Sequence, residues 1–156
     1  DCGITDVFSD HPAVECQRIP MKTVCIMSEG NTLGKKKFIT PEDLINEPMI
    51  HSRRDSAFYR KLEEVFTLHN VKINSWIETR QFNSACMLVA EGRGVSIVSE
   101  MDAREYESRG LIIKPFRPVI PHTLMLVRPK HTALSTIALE FLDFFESSLE
   151  PFRLKS

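Results

Sequence analysis

Two short stretches carry the side chains best suited to gripping a small charged molecule. "HSRRDS" (His51 to Ser56) places two hydroxyls, two guanidinium groups and a carboxylate within six residues, and "ETRQFNS" (Glu78 to Ser84) repeats the mixture. Each follows a short apolar run and precedes a helical pattern. Backbone amides at a helix start lack partners within the helix and carry partial positive charge, so a carboxylate held there gains charge-assisted hydrogen bonds. The candidate contacts are therefore Ser52, Arg53, Asp55 and Ser56 on the first stretch, and Thr79, Phe82 and Asn83 on the second. Both signs of charge are present, which suits a zwitterion such as an amino acid. In the competing reading, Asp55 and Ser84 only cap their helices, and Arg53, Arg54 and Arg80 are solvated.

Other chemistries find little support. No GxSxG elbow, HExxH pair or phosphate-binding Walker loop is present. Cys2, Cys16, Cys25 and Cys86 are scattered without a CxxC pair, and the five histidines are equally dispersed. We therefore expect reduced thiols in a cytoplasmic protein, with no metal, no cofactor and no catalytic residue. Cys86 sits within "SACMLVA", on the side of a helix that should pack, and reads as a core thiol. The net charge of −1 offers no bulk attraction to nucleic acid, and no apolar run is long enough for a membrane span, which needs about 18 residues. The chain begins with Asp1 in place of methionine, so we expect a piece of a longer protein.

The elements that would hold these residues alternate. "KTVCIMSE" reads as a strand, "TPEDLI" as a short helix capped by Thr40 with Pro41 in its first turn, and "PMIHS" as a brief strand. "DSAFYRKLEEVFTLHN" places Phe58, Leu62, Val65 and Phe66 on one helical face, with Asp55 or Ser56 as cap and Asn70 as stop. "KINSWIET" alternates like a strand, "QFNSACMLVAEG" returns to helical spacing, and "GVSIVSE" is a strand before the polar helix "MDAREYESRG". "LIIKPF" and "HTLMLVRP" are two more strands, separated by an extended, proline-rich crossover. A last amphipathic helix runs from about Ala133 to Leu149, with Phe141, Leu142, Phe144 and Phe145 spread over more than one face. That excess of apolar surface predicts association. Strands alternating with helices predict a parallel sheet covered on both faces.

Gly92 and Gly94 in "VAEGRGVSIV" could suggest a phosphate cradle. A cradle needs strand, glycine turn, then helix, whereas here the helix comes first. The glycines read as a joint, with Gly92 in a left-handed helix stop.

Taken together, "DCGIT", "ITPEDLINEPMI", "ETRQFNSACMLVAEGRGVSIVSE" and "YESRGLIIKPFRPVIPHTLMLVRP" resemble the regulatory domain of LysR-type transcriptional regulators, nearest the lysine-biosynthesis branch. The resemblance spans about Asp1 to Phe145. It implies a fold of the α/β class, periplasmic-binding-protein-like, with parallel-rich sheets, helices on both faces and two subdomains. Residues 19–117 would form the second subdomain, and residues 1–18 with 118–156 the remainder of an incomplete first one. It further implies a small-molecule effector, an amino acid or derivative, in a cleft between the subdomains. Thr5 and Asp6 would contribute from the first, since they follow the opening strand in the family's pattern. The family pairs its regulatory domains antiparallel, as homodimers or homotetramers, through a helix matching Ser56 to His69. Its DNA contacts lie in a winged helix-turn-helix with no counterpart in this chain. A periplasmic solute-binding protein is the alternative on the same architecture.

Overall fold

The computed structural model describes residues 2–6 and 11–155. They fall into two units, residues 22–121 and residues 1–21 with 122–156, each built on its own sheet.

The second unit owes its sheet to strands that are apolar on both faces. In β3 (Thr23–Ser28), Cys25 and Met27 point to one face while Val24 and Ile26 point to the other. Met49 and Ile50 of β4 (Met49–Ser52) divide in the same way, as do Ile97 and Val98 of β6 (Val95–Ser99). A period of two buries both sets only if helices cover both faces. They do. Phe58, Tyr59, Leu62 and Phe66 of α1 (Ala57–Leu68) complete one core. Ala85, Cys86 and Val89 of α2 (Phe82–Ala90), with Ala103 of α3 (Glu100–Glu105), complete the other. Ser56 caps α1, its Oγ accepting from the Tyr59 amide at 3.0 Å, and Asn70 beyond its end takes a positive φ of 55°. The "PEDL" segment is a single 3-10 turn, with the Asp43 carboxylate accepting from the Thr40 amide at 3.0 Å.

With β5 (Ser75–Thr79) and β7 (Leu111–Pro115), the strand order is β5-β4-β6-β3-β7. β4 is parallel to β5 and β6, but β3 is antiparallel to both β6 and β7. Four strands thus share a direction and β3 is reversed, so this sheet is parallel-rich, as expected, and not parallel throughout. Apolar periodicity reports which faces are buried and carries no direction. The β3–β4 connection, moreover, holds only 3-10 turns where a parallel crossover would use a helix.

Gly92 and Gly94 form the predicted joint. Gly92 stops α2 at φ +73°, and Gly94, at φ +138°, passes so close to β4 that a Cβ there would lie 2.2 Å from the Pro48 carbonyl oxygen.

The first unit holds β1 (Gly3–Thr5), β2 (Val14–Met21) and β8 (His122–Pro129) in the order β1-β8-β2, antiparallel throughout. Parallel pairing is thus confined to the second unit. β2 pairs with β8 over its whole length through Met21, so residues 19–21 belong to this unit, although the sequence suggested a boundary at Ile19. At the other junction, residues 118–121 stay with the second unit. Ile120 is buried in its core, and its carbonyl accepts from the Thr23 hydroxyl at 2.5 Å. The closing helix, α4 (Thr136–Leu149), starts three residues later than expected because Ser135 caps it, accepting from the Ala138 amide at 3.2 Å. It buries Leu142 and Leu149 and leaves Ile137 and Phe144 exposed.

Candidate functional site

β4 and β5 run parallel and end side by side, with Ser52 opposite Thr79. From these ends the chain departs in opposite senses, α1 covering one face of the sheet and α2 the other. Adjacent parallel strands whose following helices go to opposite faces leave a crevice at their carboxyl ends, the usual seat of a ligand in such sheets. A groove of about 480 Å³ lies there, lined by Arg53, Arg54, Asp55, Glu78, Thr79 and Arg80.

Its charges are partly paired. Arg53 Nε donates to Asp55 Oδ1 at 2.8 Å, and its terminal nitrogen bonds the other carboxylate oxygen. That fork holds the Asp55 carboxyl below the usual carboxylate range and raises the Arg53 guanidinium. Arg54 Nε lies 3.9 Å from Glu78. Three guanidinium groups face two carboxylates, leaving the rim with a surplus of one positive charge.

The predicted contacts separate into groups. Arg53, Asp55 and Thr79 line the groove. Ser52 and Ser56 are outside its lining, with their hydroxyl oxygens 3.3 Å apart. The Thr79 hydroxyl lies 3.3 Å from the Gln81 carbonyl. Phe82 is half-buried and meets Phe58 edge-on at 5.2 Å, closing the space between the starts of α1 and α2, so it packs and does not line the groove. The Asn83 side-chain oxygen is used locally, accepting from the Ser84 amide at 2.9 Å. Thr5, half-buried at the end of β1, and Asp6, exposed beyond it, lie in the first unit.

The groove also holds Arg54, Glu78 and Arg80, which the sequence placed at the rim as charges of both signs without counting them among the direct contacts. Two further polar residues connect to the rim through Arg54. His51 is buried at 2 % exposure with Nε2 2.7 Å from the Ser75 hydroxyl, and Arg54 also donates to that hydroxyl at 3.2 Å. No pattern in the sequence joins residues 21 or 24 positions apart.

Among the described residues there is no group of three or more His, Cys, Asp or Glu able to hold a metal ion, and no helix long and apolar enough to cross a membrane. Burial pushes the Cys86 thiol up to about 12 and the Cys25 thiol higher still, so both are protonated at neutral pH.

Comparison with known proteins gives a consistent picture. A family model described as the LysR substrate binding domain matches residues 1–150. The chain is 30% identical over 150 residues to the transcriptional activator protein LysR of Escherichia coli K12, covering 96% of this chain and 48% of that protein. It thus spans about half the length of that curated relative. Among solved structures, HinK, a LysR family transcriptional regulator from Pseudomonas aeruginosa, superposes with a TM-score of 0.74 at 17% identity, covering 96% of this chain and 53% of that one. The effector binding domain of QuiR, in complex with shikimate, superposes with a TM-score of 0.71 at 18% identity, covering 99% and 74%. At such identities the likeness speaks for the fold.

Proposed function

The chain belongs to the LysR substrate-binding-domain family, and from that premise we propose that it is the effector-sensing part of a transcriptional regulator. It binds a small zwitterionic carboxylate, an amino acid or close derivative, and does not turn it over. The observation that carries this reading is the groove at the ends of β4 and β5. Cationic side chains and the starts of two helices converge there, with Asp55 and Glu78 available for an ammonium group. The QuiR domain, of the same fold, holds shikimate, a small carboxylate, which supports the reading. The relatives reported above are transcriptional regulators, which weighs against a periplasmic solute-binding protein.

The partners follow from the same premise. DNA is read by a segment outside this chain, in a cytoplasmic regulator. Copies pair as a homodimer or homotetramer through α1, beside which β5 presents the open edge of the sheet and Leu68, Ile45 and Trp76 are exposed.

Calorimetric titration of a panel of amino acids tests the site in wild type, Ser52→Ala and Thr79→Val, with Thr5→Val and Asp6→Asn covering the first unit. Losing a hydroxyl that bonds a charged ligand costs roughly 1.5–3 kcal/mol, or about ten- to more than a hundredfold in affinity. If one ligand binds all five proteins equally, and circular dichroism shows each folded, the assignment is wrong.

A further inference from the structure

The run "KKKF", Lys35 to Phe38, stands outside the site described above, and the fold gives it a fourth cation. Ile39 pairs in parallel with Phe116. Its amide donates to the Pro115 carbonyl at 2.9 Å, and its carbonyl accepts from the Arg117 amide at 2.8 Å. That short ladder sets Phe38 beside Arg117, whose guanidinium lies over the phenyl ring, 4.7 Å from its centroid. Lys35, Lys37, Phe38 and Arg117 are all exposed.

The charges here are one-sided. Lys36 is paired with Asp43. The nearby carboxylates are engaged elsewhere, Glu42 with the Thr40 hydroxyl and the His69 ring, and Glu47 with the Asn31 side-chain amide at 3.2 Å. Among the described residues no carboxylate pairs with Lys35, Lys37 or Arg117. Stacking on Phe38 uses one face of the Arg117 guanidinium and leaves its N–H edge free to donate. Three cations thus stand without a counter-charge on a chain whose net charge is −1, so the remaining surface is net acidic. The bulk charge conceals a local positive surface.

We propose that this surface grips the phosphate backbone of duplex DNA without regard to sequence, an inference that rests on the regulator reading above. Exposed and strung along the chain, the three cations suit an extended polyanion better than a small enclosed one. Arg117 covers one face of Phe38, which makes the ring a poor platform for an unpaired base and favours duplex over single strand. A contact of three phosphates is weak alone. In a regulator that already holds DNA through another segment, the duplex is kept at high local concentration and the contact is populated. It positions the duplex and reads no bases.

Fluorescence anisotropy of a labelled duplex of arbitrary sequence tests this on the chain itself and needs no effector. Binding is expected in about 20 mM salt, with a slope of log affinity against log salt of about −2.7, the counterion release of three contacts. Affinity then falls about 500-fold between about 20 and 200 mM salt. Lys35→Gln, Lys37→Gln and Arg117→Gln should each flatten the slope by about 0.9, and the triple variant should lose binding while circular dichroism shows it folded. The control removes three cations elsewhere, Lys61→Gln, Lys130→Gln and Lys155→Gln together, and should keep the wild-type slope. Equal loss in that control would mean bulk charge alone is at work and overturns the proposal. An unchanged anisotropy with wild type in low salt overturns it too. So does tighter binding to a single strand of the same length, or displacement of the duplex by poly-glutamate at equal charge, which would point to an acidic protein partner. A chain that binds an amino acid but no duplex loses this contact and keeps the regulator reading; one that binds the duplex but no amino acid does the reverse for the effector.

Discussion

Replacing Gly94 by alanine should unfold the second unit more readily than any other single methyl group added at its glycines. Two costs combine. The backbone at φ +138° lies where L-residues are rarely found, a strain of about 1–3 kcal/mol. The new Cβ would also sit 2.2 Å from the Pro48 carbonyl oxygen and 3.2 Å from its carbon, and backbone has to give way. That oxygen accepts the Val95 amide at 2.9 Å, the bond that seats the start of β6 beside β4. Moving it by roughly an ångström abandons a buried N–H, since Val95 is fully buried, for a further cost of about 1–3 kcal/mol. A total near 4 kcal/mol corresponds to about 8–16 °C in melting temperature for a chain of this size. Gly30→Ala is the control. Its φ of +91° carries strain of about 1–2 kcal/mol, but nothing lies within 4 Å of the added carbon. Thermal melts followed at 222 nm compare the two. A Gly94→Ala midpoint within 2 °C of Gly30→Ala would refute the steric argument, because strain alone would then suffice.

Two further outcomes follow from titrating groups. With a thiol-specific disulfide reagent at pH 8, the half-exposed Cys2 and Cys16 should react in the native protein, and Cys25 and Cys86 only after denaturant is added. Because burial raises the Cys86 pKa from 9.0 to about 12, its share of stability is complete below pH 9 and is lost as pH climbs towards 12; Cys86→Ala melts should show that slope flattened. Glu42 moves the other way: the Thr40 hydroxyl and then the His69 ring, 2.6 Å from its Oε1, hold it down to about 2. Its contribution is lost as pH falls from 4.5 towards 2, so the difference in melting temperature between wild type and Glu42→Gln should shrink over that range.

What could be read in advance depended on how local the physics was. The Ser56 cap, the Asn70 stop, the glycine joint and the two-faced burial of "VCIM" and "VSIV" are each decided within a few residues, and each appears in the structure. β2 escaped notice because "VECQRIPM" mixes charges with Pro20 and lacks clean alternation. Pro20 is tolerated there because β2 is an edge strand, where a missing amide leaves no ladder bond unmade. The reversed β3 was invisible for a different reason, since strand direction is a property of connections. At the rim, Ser52 and Thr79 were legible as strand ends. The fork between Arg53 and Asp55, and the line from His51 through Ser75 to Arg54, depend on side-chain directions that no spacing reveals.

The two crossings between units lie side by side in the chain's pairing scheme. Met21 and His122 are register partners in the β2–β8 ladder, and just inside the second unit the Thr23 hydroxyl holds the Ile120 carbonyl. This imposes an order on folding. Were the small sheet to form first, pairing β2 with β8 would close a loop of about a hundred disordered residues. If the second unit folds first, its pinned ends shrink that loop to a handful of residues, saving about 3 kcal/mol of closure entropy. The contiguous unit is thus the expected nucleus, with β8 meeting β2 after the intervening sheet has brought their ends within reach.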